Sequence, residues 1–239
     1  MISFLLLALL GTGLAAYAVE FFDDDGGETG EPAAETDIAQ GTNQSDILKA
    51  MENQTVNGFA GDDTIEAVGH GFVVNGGGGS NYTVFQSNGS EDSNLGFFPG
   101  GSGDDTIDAF GEDCVIDGDA GNEIINIQGT LFSASGGAGY DTISGDSTDS
   151  WGGTSLYGNA GDNFLIPEDS LGYQIGVIAD GGAGNDRIET STYLNSANSL
   201  DTLTGGDGED RFELIFTGVE FDSEAPDERC REYDYRFCP

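Results

Sequence analysis

The chain has 239 residues, with 44 Asp and Glu against 6 Lys and Arg, which gives a formal charge of −38 at neutral pH. This charge excludes nucleic acids and anionic membrane surfaces as direct electrostatic partners, and it favours bound cations. The 40 glycines recur periodically between aliphatic and aromatic residues. This periodicity predicts an ordered repeat structure rather than a disordered chain.

The first 22 residues are predicted to be an export segment. Residues 2–19 are uncharged and mostly apolar, and as a helix they would extend about 27 Å, close to the thickness of a bilayer core. Ala16-Tyr17-Ala18 is typical of a signal-peptide cleavage site. The sequence leaves open a cleaved signal and a retained anchor. Either one predicts an extracellular or cell-surface protein whose only membrane contact is residues 2–19.

An acidic segment follows, and we interpret residues 23–40 as a solvated linker because few of them are apolar. The next residues, GTNQSDIL at 41–48, resemble a degenerate copy of a turn that recurs further along the chain, with Asp46 at its acidic position. Terminal repeats are often atypical. Residues 41–48 are therefore predicted to cap a repeat domain that covers 41–212.

A short glycine-rich turn recurs through this domain. Its four best copies are GGSGDDTI at 100–107, GGAGYDTI at 136–143, GGAGNDRI at 181–188 and GGDGEDRF at 205–212, and looser copies begin at Gly58, Gly76, Gly118 and Gly158. The residues of each copy are numbered here from one to eight. Successive copies are spaced by roughly 18 to 24 residues, a repeat length that predicts the stacked coils of a solenoid.

The sixth residue of each copy is an acid or an amide: Asp63, Asn81, Asp105, Glu123, Asp141, Asn163, Asp186 and Asp210. In stacked coils these side chains would lie one strand spacing apart, where like charges repel unless a cation lies between them. Oxygen ligands in a flexible cage suit Ca²⁺ better than Zn²⁺ or Mg²⁺. The column therefore predicts calcium sites, with turn capping by aspartate as the alternative explanation.

Two ladders of apolar residues predict the strands. One contains the eighth residue of each copy, which is apolar except at Thr83: Ile65, Ile107, Ile125, Ile143, Leu165, Ile188 and Phe212. The other precedes each copy by two residues: Val56, Val74, Phe98, Ile116, Ala134, Leu156, Ala179 and Leu203. Each coil then has one strand arriving at the turn and one leaving it. The predicted fold is all-β, a parallel β-roll or β-solenoid of stacked coils with the glycine turns along one edge.

The four best copies resemble the nonapeptide GGxGxDxUx of the RTX, or hemolysin-type, calcium-binding repeats. The resemblance implies a parallel β-roll with Ca²⁺ between the turns of successive coils. It also implies that the sixth-position side chains bind the ion together with backbone carbonyls of the glycine turn, here Gly58, Gly61, Gly100, Gly103, Gly136, Gly139, Gly181, Gly184, Gly205 and Gly208.

The spacing of the turns departs from the RTX pattern. Tandem RTX repeats place a glycine turn at both edges of each coil, whereas this chain has only one such turn in each repeat. Calcium is therefore expected along one edge only, opposite irregular loops such as 144–153 and 167–176. One ion between each adjacent pair of the eight turns would give seven sites, and pairs that include Asn81 or Asn163 should bind more weakly because they supply fewer charges.

Residues 213–239 leave the repeat pattern and are predicted to form a C-terminal cap, since their aromatic residues would cover the last coil. Cys230 and Cys238 would close a short disulfide loop in an oxidising compartment, although three cysteines leave the pairing open. Cys114 lies beside a predicted strand and is interpreted as a small buried apolar residue.

The sequence contains no HExxH or GxSxG motif, and His70, its only histidine, is predicted to lie in a loop opposite the glycine turns. We therefore expect a non-enzymatic, monomeric scaffold or adhesion module that folds on binding calcium, with a carbohydrate or cell-surface partner that the sequence does not identify. One alternative is a carbohydrate-active β-helix enzyme that uses loops on the edge without calcium. Trp151 and Tyr157 would form a sugar-stacking patch or, as ordinary strand or loop aromatics, fill a gap. The other is a fragment of a secreted RTX toxin, which would need an apolar pore-forming region; only residues 2–19 are apolar enough.

Overall fold

The computed structural model describes residues 38–87, 96–147, 153–168, 177–193 and 202–217. The predicted export segment, most of the acidic linker, Trp151 and the tail with Cys230 and Cys238 lie outside these ranges. In the part of the chain that is described, no helix is long and apolar enough to cross a membrane.

The described chain forms twenty short β-strands. They are β1 (Ile38–Gln40), β2 (Ile47–Ala50), β3 (Thr55–Asn57), β4 (Thr64–Gly69), β5 (Val73–Asn75), β6 (Gly77–Gly78), β7 (Tyr82–Ser87), β8 (Gly96–Pro99), β9 (Gly101–Ser102), β10 (Thr106–Glu112), β11 (Cys114–Asp117), β12 (Ile124–Thr130), β13 (Ser133–Ala138), β14 (Thr142–Ser147), β15 (Ser155–Ala160), β16 (Phe164–Glu168), β17 (Ile178–Ala183), β18 (Arg187–Tyr193), β19 (Thr202–Asp207) and β20 (Arg211–Thr217).

These strands build two parallel sheets of nine strands each. The first sheet has the order β1-β3-β5-β8-β11-β13-β15-β17-β19, and the second has the order β2-β4-β7-β10-β12-β14-β16-β18-β20. The chain passes from one sheet to the other and back in every coil, and the small pair β6–β9 lies within the glycine turns. The predicted parallel β-solenoid is confirmed, and the segment around Asp46 supplies a further complete coil at its start.

The two predicted apolar ladders form the core. Ile107, Ile125 and Ile143 lie opposite one another in register, and each is at most 2% exposed. In the first sheet Ile116, Ala134 and the other predicted positions as far as Ala179 are equally buried, with Leu203 partly buried against them. Phe212 departs from the prediction. It is 46% exposed because β20 ends its sheet and has a neighbouring strand on one side only.

A third buried column was not predicted from the sequence. It runs through Ala67, Phe85, Ala109 and Ile127, which follow one another in register in the second sheet and are at most 3% exposed. Phe85 also contacts Phe98 of the opposite sheet at 4.9 Å between ring centroids. Small alanines on either side leave room for the large Phe85 ring, so packing volume is balanced between coils.

The segments that connect the two sheets are uniform in length at the glycine turns and vary in length on the way back. Neighbouring glycine turns pair with each other through bridges such as Ala60 with Gly78 and Ala120 with Ala138. The longer coils have their extra residues between the end of a strand in the second sheet and the start of the next strand in the first sheet. Two boundaries differ from prediction, since residues 144–147 of a predicted loop belong to β14 and residues 167–168 of another belong to β16. The sheets extend from Ile38 to Thr217, slightly beyond 41–212.

Candidate metal centre

The glycines of the turn meet three separate requirements. All eight fourth-position glycines have φ between 111° and 149°, a region that side chains with a Cβ rarely adopt. The second position also has positive φ, and glycine is replaced there only by Phe59, Asp119 and Asn159, with φ of 74°, 68° and 72°. The first position has ordinary φ, so its glycine is needed for another reason.

Close approach explains the glycine at the first position. A Cβ built on Gly181 would lie 2.5 Å from Oδ2 of Asp186 and 2.6 Å from the carbonyl oxygen of Gly205 in the next coil. The equivalent distances at Gly100 are 2.7 Å to Oδ2 of Asp105 and 2.9 Å to the carbonyl oxygen of Gly118. At most first glycines the sixth-position side chain and a carbonyl of the next turn therefore converge on the same space, and at Gly118 the nearest atoms of that side chain are Cγ and Cβ of Glu123.

The sixth-position side chains form one buried column along this edge. Asp63, Asn81, Asp105, Glu123, Asp141, Asn163 and Asp186 are at most 3% exposed, and Asp210 at the end is partly exposed. One oxygen of nearly every member accepts the backbone N–H of the sixth residue in the preceding coil, at 2.7–3.0 Å. This ladder gives aspartate and asparagine a structural role that is independent of any metal.

The second carboxylate oxygen has no such role. Oδ2 of Asp63, Asp105, Asp141 and Asp186 is buried and accepts no hydrogen bond, and both carboxylate oxygens of Glu123 are in the same state. A buried polar atom without a partner costs roughly 1–3 kcal/mol, and more if it is charged. Several such atoms in one column indicate that a positively charged or donating group belongs beside them.

Each sixth-position side chain, with the turn oxygens around it, is called a rung here. The two asparagine rungs show which kind of group forms hydrogen bonds in the space beside the first glycine. Nδ2 of Asn163 donates to the carbonyl oxygens of Gly161 at 3.0 Å and Gly181 at 3.4 Å, and Nδ2 of Asn81 donates to Gly79 at 3.2 Å. A Cβ on Gly158 would lie 2.6 Å from Nδ2 of Asn163, as one on Gly181 would lie close to Oδ2 of Asp186. The aspartate oxygens thus occupy the place of an amide donor and face carbonyl oxygens.

The first coil satisfies its carboxylate in another way. Oδ2 of Asp46 accepts hydrogen bonds from the backbone N–H of Thr42 at 2.5 Å and from its hydroxyl at 2.9 Å. Gln44 stands at the fourth position of this turn, where all later copies have glycine. The degenerate copy therefore closes its own turn with protein donors.

Burial raises the pKa of four carboxyl groups in the column. It raises the pKa of Asp63, of Asp186 and of Asp105, which reaches about 6, although a backbone N–H bound to each carboxylate partly opposes the shift. Burial and then the neighbouring Asp141 carboxylate raise the pKa of Glu123. Each direction reflects a site that lacks compensating positive charge.

A second side-chain ladder, at the fifth position, was missed by sequence reasoning. It runs in the opposite direction, because Oδ1 of a fifth residue accepts the backbone N–H of the fifth residue in the following coil. Examples are Asp62 with Ser80 at 2.8 Å, Asp104 with Asn122 at 2.8 Å and Asp162 with Asn185 at 2.7 Å. The signal was present in the sequence as the frequent Asp, Asn and Ser at this position.

The remaining predicted residues are placed as follows. His70 lies at the edge opposite the glycine turns, with Nδ1 3.5 Å from a carboxylate oxygen of Glu52. Cys114 is a free, buried cysteine, and burial raises the pKa of its thiol to about 12. Tyr157 is half-buried in β15. Among the described residues, no three side chains of His, Cys, Asp or Glu cluster closely enough to form a metal site by themselves.

The architecture defines the class of protein as a parallel β-solenoid with one glycine-rich edge that carries a buried column of carboxylates and amides. A scan against models of known protein families gave no match, and a search of curated proteins gave none either.

Proposed function

We propose that this chain is an RTX-type calcium-binding protein, exported or anchored at the cell surface, that acts as a non-enzymatic structural or adhesion module. One observation carries the proposal. Buried carboxylate oxygens of Asp63, Asp105, Asp141 and Asp186 lack any hydrogen-bond partner and lie beside glycine turns, and in three of these turns a carbonyl oxygen of the next coil lies near the same space.

The donor set fits Ca²⁺ better than other ions. At the Asp186 rung, the residues that would hold the ion are Asp186 and Gly205, and the carbonyl of Gly184 occupies the place of the Gly161 carbonyl that binds the amide of Asn163. Calcium accepts carbonyl oxygens, carboxylates and water in flexible numbers. Since no three acidic side chains converge within the described coils, a site there would be built mainly from backbone oxygens. Such a site does not suit Zn²⁺, which prefers nitrogen and sulfur ligands.

Bound calcium would couple folding to the surroundings of the protein. Each ion would place positive charge between oxygens that otherwise repel, within a chain of charge −38. A site with a dissociation constant of about 10⁻⁴ M, usual for extracellular modules, stabilises the folded form by about 1.4 kcal/mol in about 1 mM calcium. Several such sites would make the solenoid stable outside the cell and much less stable at cytosolic calcium concentrations.

This proposal is tested by removing calcium from the full-length chain in mild detergent. Far-UV circular dichroism is recorded with chelator, then with millimolar CaCl2, and with MgCl2 as the control. We expect the β-sheet signal and its thermal transition to depend on calcium, and magnesium not to replace it, because Mg²⁺ demands near-octahedral geometry. An identical spectrum and melting temperature in chelator and in calcium, without measurable binding, would contradict the proposal.

A further inference from the structure

We infer that Asn81 and Asn163 take the place of calcium with their own amide groups, so that the proposed ion column is interrupted at two coils. The inference rests on the proposed function and concerns which of the rungs use an ion. It replaces the expectation that asparagine rungs are merely weaker calcium sites.

The geometry of the two kinds of rung is the same except for one atom. In both, Oδ1 accepts the backbone N–H of the preceding coil: Glu123 donates to Asp141 at 3.0 Å, and Asp141 donates to Asn163 at 3.0 Å. The second atom lies beside the first glycine of its own turn, as Oδ2 of Asp105 does at 2.7 Å and Nδ2 of Asn81 does at 2.8 Å from a Cβ built there.

That atom decides whether a cation is needed. Nδ2 of Asn163 brings two N–H groups to the carbonyl oxygens of Gly161 and Gly181, so the space is filled and its polar groups are paired. In the equivalent place, Oδ2 of Asp141 or Asp186 can only accept hydrogen bonds, and it has no hydrogen-bond donor beside it. An ion at an asparagine rung would have to displace the amide donor and face its partial positive charge.

The first coil also separates rungs whose polar atoms are paired by protein donors from rungs that lack such donors. There Thr42 supplies both a backbone N–H and a hydroxyl to Oδ2 of Asp46, so this carboxylate is also satisfied without an ion. The rungs closed by protein donors are therefore those of Asp46, Asn81 and Asn163. The buried rungs that remain open are those of Asp63, Asp105, Glu123, Asp141 and Asp186.

The consequence is an array in three segments. The closed rungs at Asn81 and Asn163 separate the open rung of Asp63 from the block of Asp105, Glu123 and Asp141, and that block from Asp186. Coils around the amides hold together without calcium, while the blocks between them depend on it. Occupied neighbouring sites also repel each other less when a neutral rung lies between them.

Two reciprocal substitutions test the inference on the full-length chain. Asp141→Asn should bind one calcium ion fewer per chain and should fold at a lower calcium concentration than the wild type. Asn163→Asp should bind one ion more and should need a higher calcium concentration to fold. Bound calcium is counted by equilibrium dialysis, and folding is followed by circular dichroism during calcium titration.

The calcium concentration at the midpoint of folding distinguishes this inference from the simple loss or gain of a calcium ligand, because the two predict shifts in opposite directions. If aspartate and asparagine rungs were both ion sites, Asp141→Asn would need more calcium and Asn163→Asp would need less. Asn75→Asp is the charge control, since Asn75 is exposed and outside the column; it should leave the stoichiometry unchanged. Asn81→Asp provides an independent repeat if one variant fails to fold.

Each result is decisive. Calcium binding by the wild type with unchanged stoichiometry in both variants would overturn the inference and leave the proposed function standing. A wild type that binds no calcium would overturn the proposed function itself. Opposite shifts of stoichiometry and midpoint in Asp141→Asn and Asn163→Asp support the inference.

Discussion

The two edges of this solenoid connect the same two sheets, yet they tolerate different sequences. At the opposite edge Asn53, Gly71, Asp113 and Leu131 occupy equivalent places in four of the coils, and all have positive φ, between 52° and 72°. At the glycine edge, the fourth position also has positive φ but is glycine in all eight copies. The glycine edge requires a glycine with positive φ in every copy. At the opposite edge such glycines occur as Gly69, Gly111 and Gly129, and serine takes the equivalent place in other coils.

Contacts between coils account for this difference. A Cβ on Gly79 would overlap the backbone of Gly61 in the preceding coil, whereas a Cβ on Gly71 would mainly meet the exposed side chain of Asn53. Gly129 is an exception at the opposite edge, since a Cβ there would overlap the backbone of Gly111. The glycine edge also carries the two side-chain ladders and the buried carboxylates. Turn length is therefore uniform there, and coil length varies only in the part of the sequence between a strand of the second sheet and the next strand of the first.

The largest expected effect comes from inserting the same short segment, Gly-Ser-Gly-Ser, at either edge of one coil. Between His70 and Gly71 the insertion lengthens a turn at the opposite edge. Doubling the length of a loop lowers the free energy of unfolding by only about 0.6 kcal/mol. Between Gly79 and Ser80 it separates Nδ2 of Asn81 from the carbonyl oxygen of Gly79 and disturbs the hydrogen bonds that Gly78, Gly79 and Ser80 make to neighbouring coils. We expect a loss of about 3 kcal/mol there, since each of these four hydrogen bonds contributes roughly 0.5–1.5 kcal/mol.

Urea unfolding in calcium-containing buffer measures both insertions against the wild type. Similar midpoints for the two variants would contradict the distinction between the edges. A further insertion between Asp113 and Cys114 controls for local sequence at the opposite edge.

A smaller effect is expected within a single turn. Gly79→Ala should cost about 2 kcal/mol or more, because φ is +111° and the new Cβ meets the backbone of Gly61. Gly78→Ala is the matched control. Gly78 has ordinary φ, its nearest contact would be Oγ of Ser102 at 3.3 Å, and most other copies have alanine at this third position.

Gly78→Ala should therefore be neutral or stabilise the fold by up to about 1 kcal/mol, since alanine restricts the unfolded chain. Thermal unfolding of the two variants, side by side, measures the difference. Equal destabilisation by both would show that the turn senses added volume rather than backbone conformation.

The smallest effect is expected at Leu131, which adopts φ of 57° at the opposite edge and is 51% exposed. Asparagine tolerates this conformation better than leucine, and Asn53 already occupies the equivalent place two residues before its strand. Leu131→Asn should raise stability by at most about 1 kcal/mol. The melting temperature reports the change, and a decrease would mean that the buried half of Leu131 outweighs its backbone strain.

Much of the fold followed from periodicity alone. The recurrence of glycine turns, with an apolar residue two places after nearly every sixth position, predicted the register of Ile107, Ile125 and Ile143 because stacked coils bring equivalent positions together. The same reasoning placed the sixth-position residues in one column. A repeating sequence determines such relations, since translation from coil to coil is the only long-range geometry involved.

The state of each atom in that column depended on the tertiary structure. Sequence treated Asp141 and Asn163 as stronger and weaker versions of one ligand, whereas the structure shows one oxygen unpaired and one amide paired with carbonyls of Gly161 and Gly181. It also showed Thr42 closing the first rung and Phe85 filling space left by alanines. These relations join residues that are far apart in the chain or differ between copies, so hydrogen-bond partners and packing volumes decide them rather than the repeat.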